Sequence, residues 1–269
     1  MLEVLYESSG LPRFDIPEAL SDAYGGSIGF DGPLVFANFV SSLDGVAALP
    51  DVERSSLLIS ARDPGDRFVM GLLRSCAEVV LIGAGTLRAH PSSRWTPDAT
   101  DPERAPAFAE FRKRLGLPPK PMLAVATASG KIDLSHPGLA EGAVILTTKD
   151  GAATIGEPPS SVEIAALTGE SRLDPRAILR DLRDRGYRSI LTEGGPTLFG
   201  ELLGADLIDE LFLTMSNRFA GNGEHEPRPG IAEGSRFLPE RIKDATLLSV
   251  RRSASHLLLR YAIGAARQR

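Results

Sequence analysis

Leu191-Thr192-Glu193-Gly194-Gly195-Pro196-Thr197-Leu198-Phe199-Gly200-Glu201-Leu202-Leu203 reads as a strand end, a glycine turn and a helix start. Before it, Tyr187 to Leu191 has the β-branched and aromatic bias of a short buried strand. After it, Leu198, Phe199, Leu202 and Leu203 recur at helical spacing, and Pro196 suits the first helical turn. The paired glycines let a ligand come close to the backbone, and the free N–H groups of the following helix make an anion site. A cofactor pyrophosphate is the natural occupant. Glu193 then sits at the carboxyl end of a strand, the edge at which open α/β sheets bind ligands. A tight turn kept for packing beside a solvated glutamate explains the same stretch as well.

Strand and helix signals alternate on both sides of this turn. Leu34 to Val40, Glu78 to Ile82, Met122 to Thr127, Ala143 to Thr148, Val162 to Leu167 and Asp209 to Met215 read as strands. Asp63-Pro64 and Asp174-Pro175 each join an N-cap to a proline at the first helical position. The first opens a helix through Phe68, Val69, Leu72 and Leu73; the second opens one that runs to about Arg185. A short helix fits Phe108 to Leu115 inside the proline-heavy 90–121 segment, and Ala220 to Pro239 is a Gly/Pro-rich excursion. Leu247 to Val250 and Ser255 to Ile263 read as a closing antiparallel pair. The alternation predicts an α/β protein with a mixed central sheet and helices on both faces. Residues 1–33, rich in Gly and Pro, read as an N-terminal extension loop ahead of a single domain, 34–269.

A chain of 269 residues, 42% hydrophobic and 24% charged, has enough apolar matter for one large α/β core. The net charge of −5 argues against a general nucleic-acid binder. Cys76 is the single cysteine, which excludes an internal disulfide and any cysteine-rich zinc site. The start carries Glu3 and Glu7 without a basic stretch and apolar run, so no signal peptide is evident. No apolar run is long enough to span a membrane. A cytoplasmic protein is the simplest reading.

Gly25-Gly26-Ser27-Ile28-Gly29 has the spacing of a hydrolase nucleophile elbow but lacks the strand before and the helix after that an elbow needs. Gly83-Ala84-Gly85-Thr86 is a second strand-end glycine turn, without the third glycine of a Rossmann fingerprint at Arg88. Two such turns can clasp one dinucleotide, with Thr86 and Thr197 offering hydroxyls to phosphate or ribose oxygens. Arg74 ends an amphipathic helix: either a cation favoured by the helix dipole or a planar fork for a substrate phosphate. His90, His136, His225 and His256 have no ligand spacing, Glu224-His225-Glu226 reads as a solvated tip, and no metal site is expected.

Ser41-Ser42-Leu43-Asp44-Gly45, Leu81-Ile82-Gly83-Ala84-Gly85-Thr86, Thr192-Glu193-Gly194-Gly195-Pro196-Thr197-Leu198 and Leu207-Ile208-Asp209-Glu210-Leu211 come in an order that resembles a known family. It is the reductase domain of the bifunctional riboflavin-biosynthesis deaminase-reductase, and the likeness covers roughly residues 33–263. The resemblance implies a dihydrofolate-reductase-like three-layer α/β/α fold, bound NADPH and a homodimer, with the sheet around Leu207 to Met215 near the dimer interface. No zinc deaminase signature is present, so a stand-alone reductase is expected. The family reaction reduces the ribosyl group of a phosphorylated 5-amino-6-ribosylamino-uracil to ribityl.

Carried over by motif, Ser41, Thr86, His90 and the turn of Gly194, Gly195, Pro196, Thr197 and Leu198 fall at cofactor positions. Thr127 and Ser129, with Lys131 nearby, resemble positions that hold the adenosine 2′-phosphate end. Glu193 matches the glutamate beside the substrate, Arg74 a substrate-phosphate arginine, and Ser56 a substrate-contacting serine. Two residues depart from the pattern. Asn38 stands where these reductases commonly carry a lysine that meets the substrate, and an amide hydrogen-bonds without charge. His90 stands where the family usually has an aspartate. In an enzyme of this kind Glu193 and Asn38 would position the reacting carbon over the nicotinamide. Two alternatives stand beside that reading: a reductase of the same fold acting on a dihydrofolate-like pterin, and an NADPH-binding regulatory protein without turnover.

Overall fold

A computed structural model describes residues 1–50, 52–167, 172–223 and 228–264. Its strands are β1 (Glu3–Glu7), β2 (Leu34–Ser41), β3 (Val79–Gly83), β4 (Met122–Thr127), β5 (Ala143–Thr147), β6 (Val162–Ala166), β7 (Ser189–Gly194), β8 (Glu210–Met215), β9 (Ala245–Ser253) and β10 (His256–Ile263). The helices are α1 (Glu18–Tyr24), α2 (Ser55–Ile59), α3 (Pro64–Cys76), α4 (Ala84–Ala89), α5 (Ala105–Arg114), α6 (Lys149–Thr154), α7 (Pro175–Asp184) and α8 (Pro196–Gly204). The strands form one sheet in the order β1-β9-β10-β8-β2-β7-β3-β4-β5-β6. From β8 to β6 every neighbour is parallel; β10, β9 and β1 close the other end antiparallel.

The central strands are apolar on both sides because each side has its own core. Phe36, Val80, Ile82, Val125 and Ile145 face one cluster with Leu72, Leu73 and Phe111 of α3 and α5. Val35, Leu81, Ala124, Val144 and Ile190 face the other, under Ile178 and Leu182 of α7 and Phe199 and Leu202 of α8. Parallel strands covered on both faces show up in sequence as continuous apolar runs. The mixed sheet between two helical layers is the expected fold class. Asp63 and Asp174 cap their helices as read, accepting from the backbone N–H of Asp66 and Arg176, with proline in the first turn.

The segment 1–33 is not a loop extension. It supplies the edge strand β1 and the helix α1, and Leu2, Leu20, Tyr24 and Ile28 are buried in the first core. Two buried arginines from the far end of the chain hold it. Arg251 donates from Nε to the Tyr24 carbonyl at 2.9 Å and from Nη2 to Glu7 at 2.6 Å, with its guanidinium over the Tyr24 ring. Arg260 donates to the Gly29 carbonyl at 2.8 Å while paired with Glu210. Ser27 donates to the Phe14 carbonyl at 2.7 Å and is a packing residue. Gly83-Ala84-Gly85-Thr86 is a strand end running directly into α4, so Gly85 and Thr86 are helical rather than part of an open turn. The Glu224-His225-Glu226 tip lies outside the described residues.

Candidate active site

β2, β3, β4 and β7 point their carboxyl ends at one side of the sheet, and a cleft of about 940 Å³ opens there. Cofactor and substrate pockets span about 300–1,000 Å³, so this one is at the roomy end. Asn38, Ser56, Arg74, Thr86, His90, Thr127, Ser129 and Glu193 all line it, as do Gly195 to Leu198.

The two glycine-bearing strand ends are joined by one hydroxyl. Thr86 Oγ1 donates to the Gly194 carbonyl at 2.9 Å and accepts from the Gly195 N–H at 2.9 Å. The peptide bond between those glycines is cis. Gly194 has φ +45°, and a Cβ there would lie 2.6 Å from the Phe39 ring, so conformation and space both demand glycine. A Cβ on Gly195 would press on Thr86 Oγ1 at 3.2 Å. Gly195 caps α8 without any side-chain hydrogen bond. The first-turn N–H groups of a helix have no partner within it, so those of α8 are offered to the cleft. A bare cap, a close glycine backbone and a cleft of this size fit a dinucleotide phosphate.

Glu193 and Arg74 meet each other. Arg74 donates from Nε to Oε1 at 2.8 Å and from Nη2 to Oε2 at 2.6 Å, with both side chains under a tenth exposed. Its Nη1 donates to the carbonyls of Arg94 and Thr96. Four of the five N–H bonds of the guanidinium are thereby engaged. In this structure the fork read as a phosphate holder is taken up by the Glu193 carboxylate, which Arg74 holds in place at the cleft wall. Sequence could not show this, because the partners are 119 residues apart.

Other arginines on the wall differ in how their charge is met. Arg94 and Arg172 are paired with Glu141 and Glu201. Arg54 donates to the Ser92 hydroxyl, Arg67 to the Thr100 carbonyl and Arg88 to the Lys131 carbonyl, all neutral partners. Arg88 thus stands beside Lys131 and Ser129 after β4, while Arg54 and Arg67 flank α2 and α3. Arg54 and Arg67 drew no notice in the sequence, where isolated arginines carry no pattern, and Arg88 only as the place of a missing glycine.

His90 is fixed from three directions. Its Nδ1 lies 3.0 Å from the Thr86 carbonyl, which makes Nδ1 the protonated nitrogen and leaves Nε2 bare. Ser56 Oγ, 3.2 Å from Nε2, is then the donor. The His90 carbonyl accepts from His136 Nε2 at 3.0 Å, and His136 Nδ1 accepts from the Gly138 N–H. Burial holds His90 below the ordinary histidine value, against the pull of the Thr86 carbonyl and Glu193.

Asn38 lies buried on β2 at the cleft wall. The cleft wall also carries a group that sequence reading passed over, Asp66 in the first turn of α3. Burial pushes its carboxyl up to about 6, aided by the neighbouring Asp63. First-turn acids are common on helices, so the sequence gave no reason to single it out. Ser41, by contrast, is buried at the end of β2 and is not on the wall; its carbonyl accepts from the Ser216 N–H at 2.8 Å. Its block makes a structural knot. Ser42 and the Ala220 and Gly221 N–H groups all bond Asp44, lowering its carboxyl to about 2.

A family model described as the RibD C-terminal domain matches residues 33–250. A curated relative from Archaeoglobus fulgidus, a 2,5-diamino-6-ribosylamino-4(3H)-pyrimidinone 5′-phosphate reductase, is 28% identical over 212 residues, covering 77% of this chain and 89% of that one. Among solved structures, a pyrimidine reductase-like protein from Corynebacterium diphtheriae superposes with a TM-score of 0.61 at 19% identity, over 87% of this chain and 92% of the other. RibD from Acinetobacter baumannii gives 0.65 at 17% identity, over 87% of this chain and 59% of the other.

Proposed function

Since the chain belongs to the RibD C-terminal domain family, we propose that it is an NADPH-dependent reductase of a phosphorylated ribosylamino-pyrimidine in riboflavin biosynthesis. The observation that carries this is the Glu193 carboxylate, clamped by Arg74 on the strand end that leads into the bare N-terminus of α8. Bound there, the cofactor supplies a hydride. The protein's part is to hold, orient and exclude water. The α8 turn and Thr86 hold the pyrophosphate end, while Thr127, Ser129, Lys131 and Arg88 meet the 2′-phosphate end. Arg54 and Arg67, whose hydrogen-bond partners among the described residues are neutral, take the substrate phosphate in place of Arg74. Glu193 and Asn38 face the sugar and base.

The Archaeoglobus relative's name places a 2-amino group on its pyrimidinone, where a uracil has a carbonyl. The Asn38 carboxamide has both a donor and an acceptor and suits either ring. A homodimer fits the half-buried apolar stripe of Met215, Val250, Leu257 and Leu259. No helix among the described residues is long and apolar enough to cross a membrane.

The test is a substrate panel followed by NADPH oxidation. It compares the diaminopyrimidinone and aminouracil ribosylamino 5′-phosphates with dihydrofolate, using NADH as control. Turnover of a phosphorylated ribosylamino compound is expected. Turnover of dihydrofolate alone would move the assignment to a pterin, and no turnover with intact NADPH binding would favour a regulatory protein.

A further inference from the structure

Ser56 and His90 come from separate elements, α2 and the end of α4, and meet over the cleft. The direction of that hydrogen bond has a chemical consequence. The Thr86 carbonyl orients the His90 ring by taking its Nδ1 proton, while His136 holds the His90 backbone carbonyl. The Ser56 proton is therefore committed to His90 Nε2, and the Ser56 oxygen offers only lone pairs to the cleft. We infer that His90 is a positioning residue that sets Ser56 as a hydrogen-bond acceptor, so that Ser56 selects an O–H or N–H donor on the substrate.

Protonation of His90 reverses the arrangement. A charged imidazole donates from Nε2, Ser56 turns to accept, and its own proton then faces the cleft. The groups that act on His90 are Glu193 on β7, Arg74 on α3, Arg54 before α2 and the Thr86 carbonyl on α4. Burial, helped by the two arginines, outweighs the Thr86 carbonyl and Glu193 and keeps His90 neutral at neutral pH, so the acceptor state is the working one. Recognition of a donor should weaken as pH falls below the ordinary histidine range.

The kinetic part of the test rests on the reductase reading, and the spectroscopic part does not. In the intact protein, nitrogen-15 NMR of the imidazoles should show His90 with a proton on Nδ1 and a bare Nε2. Ser56→Ala removes the donor to the neutral ring and the acceptor for the charged one; the second bond is charge-assisted and the stronger, so His90 should then titrate at lower pH. His90→Asn keeps an N–H for the Thr86 carbonyl but no longer reaches Ser56. It should raise KM about threefold to tenfold, the loss of one neutral hydrogen bond, with kcat little changed. The low-pH rise in KM should vanish in this variant. The double variant should cost no more than either single one, since both remove the same bond. A proton on Nε2, an unshifted His90 titration in Ser56→Ala, or additive losses overturns the inference. If the unmodified protein turns over no substrate, the function fails while the NMR arms still decide the inference.

Discussion

The Arg74 guanidinium and the Glu193 carboxylate lie edge to edge in two parallel hydrogen bonds, Nε to Oε1 at 2.8 Å and Nη2 to Oε2 at 2.6 Å. The contact ties α3 to the end of β7 and sets a charged group where the sheet meets the cleft. Removing one partner of a buried pair strands the other, at about 3–5 kcal/mol. Arg74→Ala should lower the denaturation free energy by that order and also reduce turnover. Arg74→Met with Glu193→Leu, two apolar groups of similar size, should recover most of the stability while remaining inactive. Chemical denaturation with parallel assays separates the structural from the functional share. Recovery of activity in the double variant would falsify the role of Glu193.

Thr86→Val keeps the shape of the side chain and deletes both hydrogen bonds to the Gly194–Gly195 turn. Each neutral bond contributes about 0.5–1.5 kcal/mol, so the NADPH dissociation constant should rise roughly 5- to 100-fold. Fluorescence titration of the folded variant reads this directly. Unchanged affinity would place the cofactor elsewhere.

Arg88 stands beside Lys131 with a neutral hydrogen-bond partner. If it meets the 2′-phosphate, Arg88→Ala should raise KM for NADPH by about 10- to 100-fold, the loss of one charge-assisted bond. KM for NADH should stay as it was. Equal losses with both cofactors would remove Arg88 from that role.

Asp66 gives a pH dependence whose sign is fixed by its raised value, about 6 against 3.8 in an open chain. The folded protein binds this proton more tightly than the unfolded one, so the ionised carboxylate works against folding. Its contribution is absent below about pH 4, grows as pH rises through 6 and levels off at up to about 3 kcal/mol of destabilisation. Asp66→Asn should therefore be more stable than the unmodified protein at pH 7.5, with the gap closing by pH 4. Melting curves across that range decide it. A variant less stable at pH 7.5 would mean that the carboxylate has a stabilising partner.

In solution, light scattering should give twice the 28.7 kDa chain mass. Leu259→Glu, in the stripe with Val250 and Leu257, should give the monomer with its fold retained. A clean monomer of the unmodified chain at micromolar concentration would end the dimer proposal.

The parallel strands were legible because a strand buried on both faces leaves a run such as Val79-Val80-Leu81-Ile82 that few other structures produce. Asp63-Pro64 and Asp174-Pro175 marked helix starts through local chemistry that needs no distant partner. β1 was hidden for the opposite reason: Glu3 to Leu5 is exposed at a sheet edge, so the segment carries no apolar alternation. Most expected site residues line one cleft, since strand-end turns gather wherever parallel strands end. Ser41 does not, because the side chain that looked available by position belongs to a strand buried beneath its neighbours. Pairings such as Arg74 with Glu193 depend on where two distant segments dock, which no local pattern encodes.

The pairing of β1 with β9 joins segments far apart in sequence: Glu3 lies opposite Arg252 and Glu7 opposite Ser249. On the ribosome β1 emerges long before β9 and must wait for it. Throughout synthesis Leu2, Leu20, Tyr24 and Ile28 have no Arg251 or Arg260 to lock them down. The docking of β1 on β9 is thus a late event in the building of this sheet. A chain halted before β9 leaves these apolar residues without that lock, the kind of exposed surface that invites aggregation.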